Sequence, residues 1–447
     1  MTAAAANSGN DTHRLLRALQ STRTAVEHGR VVQATGTVLR ATGLRARIGQ
    51  QCRIFDPATE GQGGEPLLAE VIGFSGAEVI LAPYGPLQGV AVGAAVQALA
   101  DEAHVPCGPA LLGRVIDAFG RPLDGRPLDA EAGSTPLYAA SPPPLQRRNI
   151  EHPLPTGVRA IDSVLTVGEG QRIGIFAMAG GGKSTLLGML ARRARADVNV
   201  IALVGERGRE VREFLDDALG EDGLTRSVVV VSTSDRPALE RVRAAVAATA
   251  IAEGFRKEGK KVLLLVDSVT RFARGLRELG LSAMEPPVRR GYPPSVFAEL
   301  PRLFERAGND ANGSITAFYT VLAEDDDNSD PVAEEVRSIL DGHIVLSRAL
   351  AQAHHYPAID VLGSASRVFT RVARRPHQEA AGKLRALMAR FNEVEFLLRV
   401  GEYQAGSDPL ADKAIERMPA VRALLQQRSD EATGFDATIA ALQEVVA

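Results

Sequence analysis

The sequence predicts an α/β chain in three parts: a small β-barrel, a mostly parallel sheet covered by helices, and a helical tail. Three observations predict it. Between residues 157 and 371, apolar runs alternate with helical segments, among them RIGIFA, VNVIALVG, SVVVVST, KVLLLVD, SITAFYTVL and GHIVLSR. Unbroken Val/Ile/Leu runs suit parallel strands buried on both faces. Between residues 29 and 99, shorter β-like runs are separated by glycine-containing breaks at intervals of roughly ten residues, as in a small all-β barrel. After residue 372 the pattern turns helical, in AAGKLRALMARFNEVEFLLRV and DPLADKAIERMPAVRALLQQ. The three expected parts are therefore 29–99, 100–371 and 372–447, preceded by an N-terminal segment, 1–28.

Residues 1–12 are small and polar, and disorder is expected there. His13 to His28 carries Leu15, Leu16, Leu19 and Val26 at helical spacing. This is either a frayed terminal helix or a partner-docking element. The barrel region would also fit an OB-like fold, which can bind nucleic acid. It lacks the interleaved aromatic and basic residues that base stacking needs, so a structural or assembly role is favoured. The stretch from Asp101 to Leu154, with GRVIDAFGRPLDG and the cluster Ser141-Pro142-Pro143-Pro144, reads as a loop-rich lead into the sheet domain.

Composition bounds the function. A chain of 447 residues, 45% hydrophobic and 23% charged, holds enough apolar residues for a sizeable core and suggests two or three domains. A net charge of −3 supplies no overall basic field for nucleic acid. Cys52 and Cys107 stand far apart without CxxC spacing, which argues against a zinc site or disulfide framework and for a reducing cytosol. No window reaches 18 uninterrupted apolar residues, and the start lacks the pattern of a signal peptide. A cytoplasmic chain is expected, unless a partner draws it to a membrane.

The most informative segment is RIGIFAMAGGGKSTLLGML, from Arg172 to Leu190. A strand leads through Ala177, Met178, Ala179, Gly180, Gly181 and Gly182 to Lys183, Ser184 and Thr185, where a Leu-rich helix begins. This is the order of a phosphate-binding loop. Glycines allow consecutive backbone N–H groups to turn around an anion, and the helix adds its positive dipole end. Lys183 would reach the β- and γ-phosphates, and the Ser184 hydroxyl would coordinate Mg²⁺. The motif's first glycine is replaced by Ala177.

Further candidates follow. KVLLLVD ends at Asp267, where a strand-end carboxylate can hold Mg²⁺ through water. IALVGERGREV places Glu206 just after a buried strand, where it either orients the attacking water or is a plain helix N-terminal charge. In HYPAIDVLGSASR, Tyr356 either stacks on a purine or is a loop aromatic, and Arg367 could act as an arginine finger that stabilises charge on the transferring phosphoryl group. The acidic stretch Glu324-Asp325-Asp326-Asp327, with Asp330, reads as a solvated loop, with a second metal site as the alternative. Nothing marks His354 and His355 as metal ligands.

Taken together, these segments closely resemble the ATPases of type III protein secretion, the injectisome and flagellar-export relatives of rotary ATP synthase catalytic subunits. The resemblance runs from about Gly29 to the C-terminus and includes ALVGERGREVREF, DSVTRFARGLRE, GYPPSVFAELPRLFERAG, ILDGHIVLSR and HYPAIDVLGSASRV. Ala177 in place of glycine is a family trait. The resemblance implies an N-terminal barrel, a RecA-like core and a helical C-terminal domain, assembled as a ring of six that hydrolyses ATP with Mg²⁺. It implies that Gly180 to Thr185 cradle the phosphates and that Ser184 and Asp267 serve Mg²⁺. Glu206 is implied as the catalytic carboxylate, Arg207 as a γ-phosphate sensor, Tyr356 as the adenine contact and Arg367 as the finger given to the neighbouring site. The implied partners are a coiled-coil stalk, an N-terminal regulator, an export gate and chaperone–substrate complexes at the cytoplasmic face of a membrane.

Because one chain carries Lys183 and Glu206 for its own site and Arg367 for the next, a homohexamer is chemically sufficient. The phrases AMAGGGKST and VAEEVRSILDGHI look more like injectisome enzymes than flagellar ones. The competing readings are a rotary ATP synthase subunit and a hexameric RNA helicase. The acidic net charge and the aromatic-poor barrel weigh against the helicase.

Overall fold

The computed structural model describes residues 27–56, 66–99, 103–128, 133–178, 180–322 and 330–447. The expected terminal helix lies outside them except for Glu27 and His28, as do Ala179 and the acidic stretch Glu324–Asp327. The chain divides into two compact units, residues 1–102 and 103–447.

The first unit is a closed antiparallel barrel of β1 (Gly29–Thr35), β2 (Val38–Thr42), β3 (Gln51–Phe55), β4 (Leu67–Ser75), β5 (Glu78–Pro83) and β6 (Ala95–Ala98). Side chains alternate, so β2 buries Leu39 and Ala41 while β3 buries Cys52 and Ile54. β6 pairs with both β1 and β3, which closes the barrel and leaves it no free edge.

The second unit opens with β7 (His104–Cys107), β8 (Arg114–Asp117) and β9 (Gly133–Pro136). β7 pairs with β9, but β8 joins the main sheet beside the later strand Ser227–Thr233. The expected loop-rich lead thus contributes the sheet's outermost parallel strand. Its apolar part is only Val115 and Ile116, too short to stand out in the sequence.

Next come α1 (Arg159–Val164), β10 (Arg172–Ala177), α2 (Lys183–Arg193), β11 (Val198–Glu206), α3 (Gly208–Glu213), α4 (Gly220–Thr225) and β12 (Ser227–Thr233). They are followed by α5 (Ala238–Lys257), β13 (Lys261–Asp267), α6 (Val269–Ser282), α7 (Pro294–Phe304), β14 (Gly308–Asn309) and β15 (Ser314–Leu322). Then α8 (Pro331–Ile339), β16 (Gly342–Leu346), α9 (Arg348–Gln352) and β17 (Ile359–Ser366) complete the sheet region. Four helices end the chain: α10 (Phe369–Val372), α11 (Arg375–Val400), α12 (Pro409–Leu425) and α13 (Phe435–Val446).

Among the described residues, the sheet order is β17-β16-β10-β15-β13-β11-β12-β8, parallel from β16 to β8, with β17 antiparallel at one edge. Successive residues of each strand feed opposite faces. On one face Val200, Val204, Leu264 and Val266 pack with Ile251 and Phe255 of α5 and Phe272 of α6. On the other face Ile201, Leu203, Leu263 and Leu265 share a core with Leu187 and Leu190 of α2. Both faces are covered, which is why the strands read as unbroken apolar runs. The same second core takes in Leu384 and Leu387 of α11, Val421 of α12 and Leu442 of α13. No helix among the described residues is long and apolar enough to cross a membrane.

Candidate functional site

The site lies at the carboxyl edge of the parallel strands, where ligands of open α/β sheets gather. β10 ends at Ala177, whose side chain is buried in the core, so it can offer a ligand only its backbone. The loop from Met178 to Gly182 follows. Gly180 and Gly182 hold φ of 78° and 82°, values that a Cβ makes costly. The first turn of α2 closes with the Leu186 N–H donating to the Gly182 carbonyl at 3.0 Å. The N–H groups of Lys183, Ser184 and Thr185 therefore lie in the helix's unpaired first turn, a ready anion site. Ser184 and Thr185 are exposed at this mouth.

Three strand ends converge on Lys183. Its ammonium pairs with the Asp267 carboxylate at the end of β13, and lies 3.5 Å from Glu206 Oε1 at the end of β11. Thr320 Oγ1 on β15, which lies between β10 and β13, donates to Asp267 Oδ1 at 2.7 Å. Burial works against the ammonium, but the Asp267 and Glu206 charges overcome it and hold the Lys183 pKa above the usual lysine value. Burial, with the Asp267 charge, pushes the Glu206 carboxyl up to about 7, and Lys183 offsets this only in part. A carboxyl poised near neutrality suits a group that takes a proton from water.

The chain bends to present Glu206. The register of β11 shifts between Val204 and Glu206, and Gly205 there adopts φ 70°. A Cβ on Gly205 would lie 3.1 Å from the Cβ of Arg271. Arg271 itself escaped the sequence reading. It sits in the first turn of α6, four residues past Asp267, and its charge acts on Glu206. Its Nε is buried without a hydrogen-bond partner. The only signal in the sequence is an arginine one helical turn beyond a strand-end acid.

Tyr356 is 41% exposed, and a Cβ on Gly182 would stand 3.5 Å from its ring. With Gly182, Thr185, Leu186, Met189 and Gln427, it lines a cleft of about 760 Å³. Gln427 is a second residue that spacing did not reveal. Its N–H donates to the Tyr356 carbonyl at 2.9 Å, and its side-chain amide donates to the Gly157 carbonyl at 2.9 Å. The loop after α12 is thereby tied to the cleft wall. A smaller cavity of about 210 Å³ between the glycine loop and α9 is lined by Arg348, a further cation beside that loop.

Two predicted residues stand apart from this cluster. The Arg207 side chain is 74% exposed and 3.6 Å from Glu210. Arg367 follows β17, which runs against β16, so its N–H donates to the Asp341 carbonyl at the amino end of β16. Asp341 in turn pairs with Arg172, the first residue of β10. Arg367 is thus level with the start of β10, while the glycine loop follows its end. Five residues of parallel strand rise roughly 16 Å, beyond the reach of an arginine side chain. Asp330 caps α8 by accepting from the Val332 N–H at 2.8 Å.

The donor set fits a triphosphate with a hard cation. Open backbone donors, Lys183 and the neighbouring arginines are groups that could meet an anion, while the Ser184 hydroxyl and Asp267 carboxylate are oxygen ligands of the kind Mg²⁺ takes. No group of three or more His, Cys, Asp or Glu side chains among the described residues could hold a metal ion alone. A cation here needs phosphate oxygens and water to complete its shell.

Comparison with known proteins identifies the family. Residues 157–366 match the nucleotide-binding domain of the ATP synthase alpha/beta family, and residues 31–100 match that family's beta-barrel domain. Residues 373–444 match the C-terminal domain of the type III secretion ATPase EscN. The chain is 54% identical to a type 3 secretion system ATPase of Xanthomonas euvesicatoria, over 96% of this chain and 97% of that one. It is 48% identical to the flagellum-specific ATP synthase of Bacillus subtilis, over 96% and 98% of the two chains. Among solved structures, the assembled ATPase EscN of enteropathogenic E. coli in complex with its central stalk EscO superposes with a TM-score of 0.86 at 48% identity. That match covers 94% of this chain and all of the other.

Proposed function

The chain belongs to the type 3 secretion system ATPases of the ATP synthase alpha/beta family, and on that premise we propose how its residues divide ATP hydrolysis between neighbouring copies in a ring of six. It is an ATP-hydrolysing enzyme. Adenine lies against Tyr356, and the triphosphate takes the open N–H groups from Gly180 to Thr185. Lys183 then turns from the carboxylates to the β- and γ-phosphates. That frees Asp267, with Ser184, as the residues that would hold Mg²⁺, which when bound would neutralise charge developing on the phosphates.

It also leaves Glu206 without its ammonium neighbour. Glu206 orients a water at the γ-phosphorus and takes its proton as the bond to the ADP oxygen breaks. Arg271 offers its unsatisfied Nε to the γ-phosphate oxygens, and Arg207 swings in from solvent to sense the same group. Arg367 of the adjacent copy completes the charge. Hydrolysis powers export of proteins delivered by chaperones, at the cytoplasmic face of a membrane export gate. A coiled-coil stalk enters the ring, and a regulator binds the N-terminal segment. The EscN–EscO structure supports the stalk. The higher identity to a secretion-system relative, 54% against 48%, favours this reading over flagellar export.

One observation carries the shared-site reading: Lys183, Glu206 and Asp267 meet at one edge of the sheet while Arg367 sits at the other. The test is ATPase rate against protein concentration, with particle size measured alongside. Specific activity should rise sharply as copies assemble. Full turnover by isolated single copies would overturn the reading.

A further inference from the structure

The start of β10 holds the base of Arg367 through a buried amide. Gln171, immediately before β10, is fully buried, and its Nε2 donates to the Asp341 carbonyl at 2.9 Å and to Ser366 Oγ at 3.1 Å. Its Oε1 accepts from the Gly168 N–H at 2.9 Å, which fixes the amide's orientation. The Asp341 carbonyl that receives Gln171 also receives the Arg367 N–H, at 2.9 Å. Ser366 Oγ in turn donates its own hydrogen bond to the Thr166 carbonyl at 3.0 Å. The approach is close: a Cβ on Gly342 would stand 2.6 Å from the Ala365 carbonyl and 3.2 Å from Gln171 Nε2. Beyond this anchor the Arg367 guanidinium is exposed, with Nη2 donating to the Arg337 carbonyl in the last turn of α8 at 3.2 Å.

We propose that Gln171 is a positioning residue for Arg367, setting where the finger leaves the sheet, so that β10 joins the phosphate loop of one site to the finger given to the next. The proposal rests on the reading of Arg367 as a finger acting on the adjacent copy. A buried amide with three partners from three segments costs free energy if any partner is lost. Here two of those partners flank the one side chain that must reach across a subunit boundary. Misplacing a catalytic group by about 1 Å can cost on the order of 10²-fold in rate.

The test uses the full chain with Gln171→Met, which keeps length but removes the donors, and Ser366→Ala, which removes the other end of the contact. Each should lower kcat, by about 10²-fold for Gln171→Met, while ring size and binding of a fluorescent ATP analogue stay unchanged. Either change made in an Arg367→Ala background should cost nothing more. Mixed rings then separate the two edges of the sheet. Gln171→Met mixed with Glu206→Ala should regain activity, because the second variant supplies a sound finger to the first variant's sound loop. Gln171→Met mixed with Arg367→Ala should regain none.

Recovery in the second mixture but not the first would overturn the proposal, placing the effect of Gln171 on its own loop. So would a further loss in the Arg367→Ala background, or unchanged kcat in both variants. Should Gln171→Met fail to fold, Ser366→Ala carries the same comparisons. The mixture of Arg367→Ala with Glu206→Ala is the reference. If it regains activity and the Gln171 mixture does not, the proposal alone falls. If the reference stays inactive despite proven subunit exchange, the finger reading falls and the proposal with it.

Discussion

Lys183 donates its ammonium to Asp267 across β15, joining the residue that ends the glycine loop to the acid that ends β13. Thr320 of the strand between them donates to the same carboxylate oxygen, so the pair is fixed by three adjacent strands. Replacing Lys183 with Met should lower ATP turnover by at least about 10²–10³-fold, the scale of losing one preorganised charge donor. Phosphate release and titration with a fluorescent nucleotide would show it, with both turnover and binding lost.

The Glu206 carboxyl, raised to about 7 by burial and the nearby Asp267 charge, gives a pH prediction. A base works only when deprotonated, so kcat/KM for ATP should rise with pH and level off above about 7. That parameter reports the free enzyme's groups. Glu206→Gln should keep ATP affinity, cut turnover by about 10²–10⁴-fold and leave a residual kcat/KM without the limb. A profile flat from pH 5.5 to 8.5 would remove Glu206 as the base.

Arg271 should matter to chemistry more than to binding. Its Nε is buried without a partner beside Glu206. Arg271→Ala is expected to cut kcat by about 10²–10³-fold and leave ADP affinity close to that of the parent. Unchanged kcat would return Arg271 to a packing role against Gly205.

Tyr356 is tested by separating base from phosphate. Tyr356→Ala should weaken ATP binding by about 1–3 kcal/mol, the usual worth of a stacked base, while inorganic tripolyphosphate binds as before. Tyr356→Phe should bind ATP normally. Calorimetric titration of both ligands distinguishes these outcomes.

Stability has its own handle at the far edge of the sheet. Arg306 donates to both oxygens of Glu253, at 3.0 and 2.6 Å, with side chains only 6% and 2% exposed. Glu253→Ala strands a buried guanidinium and should destabilise the fold by about 3–5 kcal/mol. A lowered urea midpoint would register this. An unchanged midpoint would mean that water reaches Arg306.

The sequence exposed those features whose chemistry is local. The glycine loop, Lys183 and the strand ending at Asp267 each occupy a few consecutive residues, and the apolar runs report strands covered on both faces. Features that depend on distant segments were not legible. Nothing near Arg271 marks it as facing Glu206, because their proximity follows from β11 and β13 lying side by side. Gln427 reaches Gly157 and Tyr356 only after the last helices pack on the sheet. The strand within GRVID was too short to separate from loop. Arg367 stood out as a residue, but its place at the edge opposite Lys183 comes from the reversed direction of β17.

That reversal has a geometric outcome. On the shared-site proposal each copy would receive a charge at one rim of its sheet and offer one from the other, so contact between copies would be head-to-tail rather than symmetric. Such contacts end in closure or run on as a fibre. The tilt between successive copies thus decides whether every catalytic centre is completed or one is left wanting at the end of a chain.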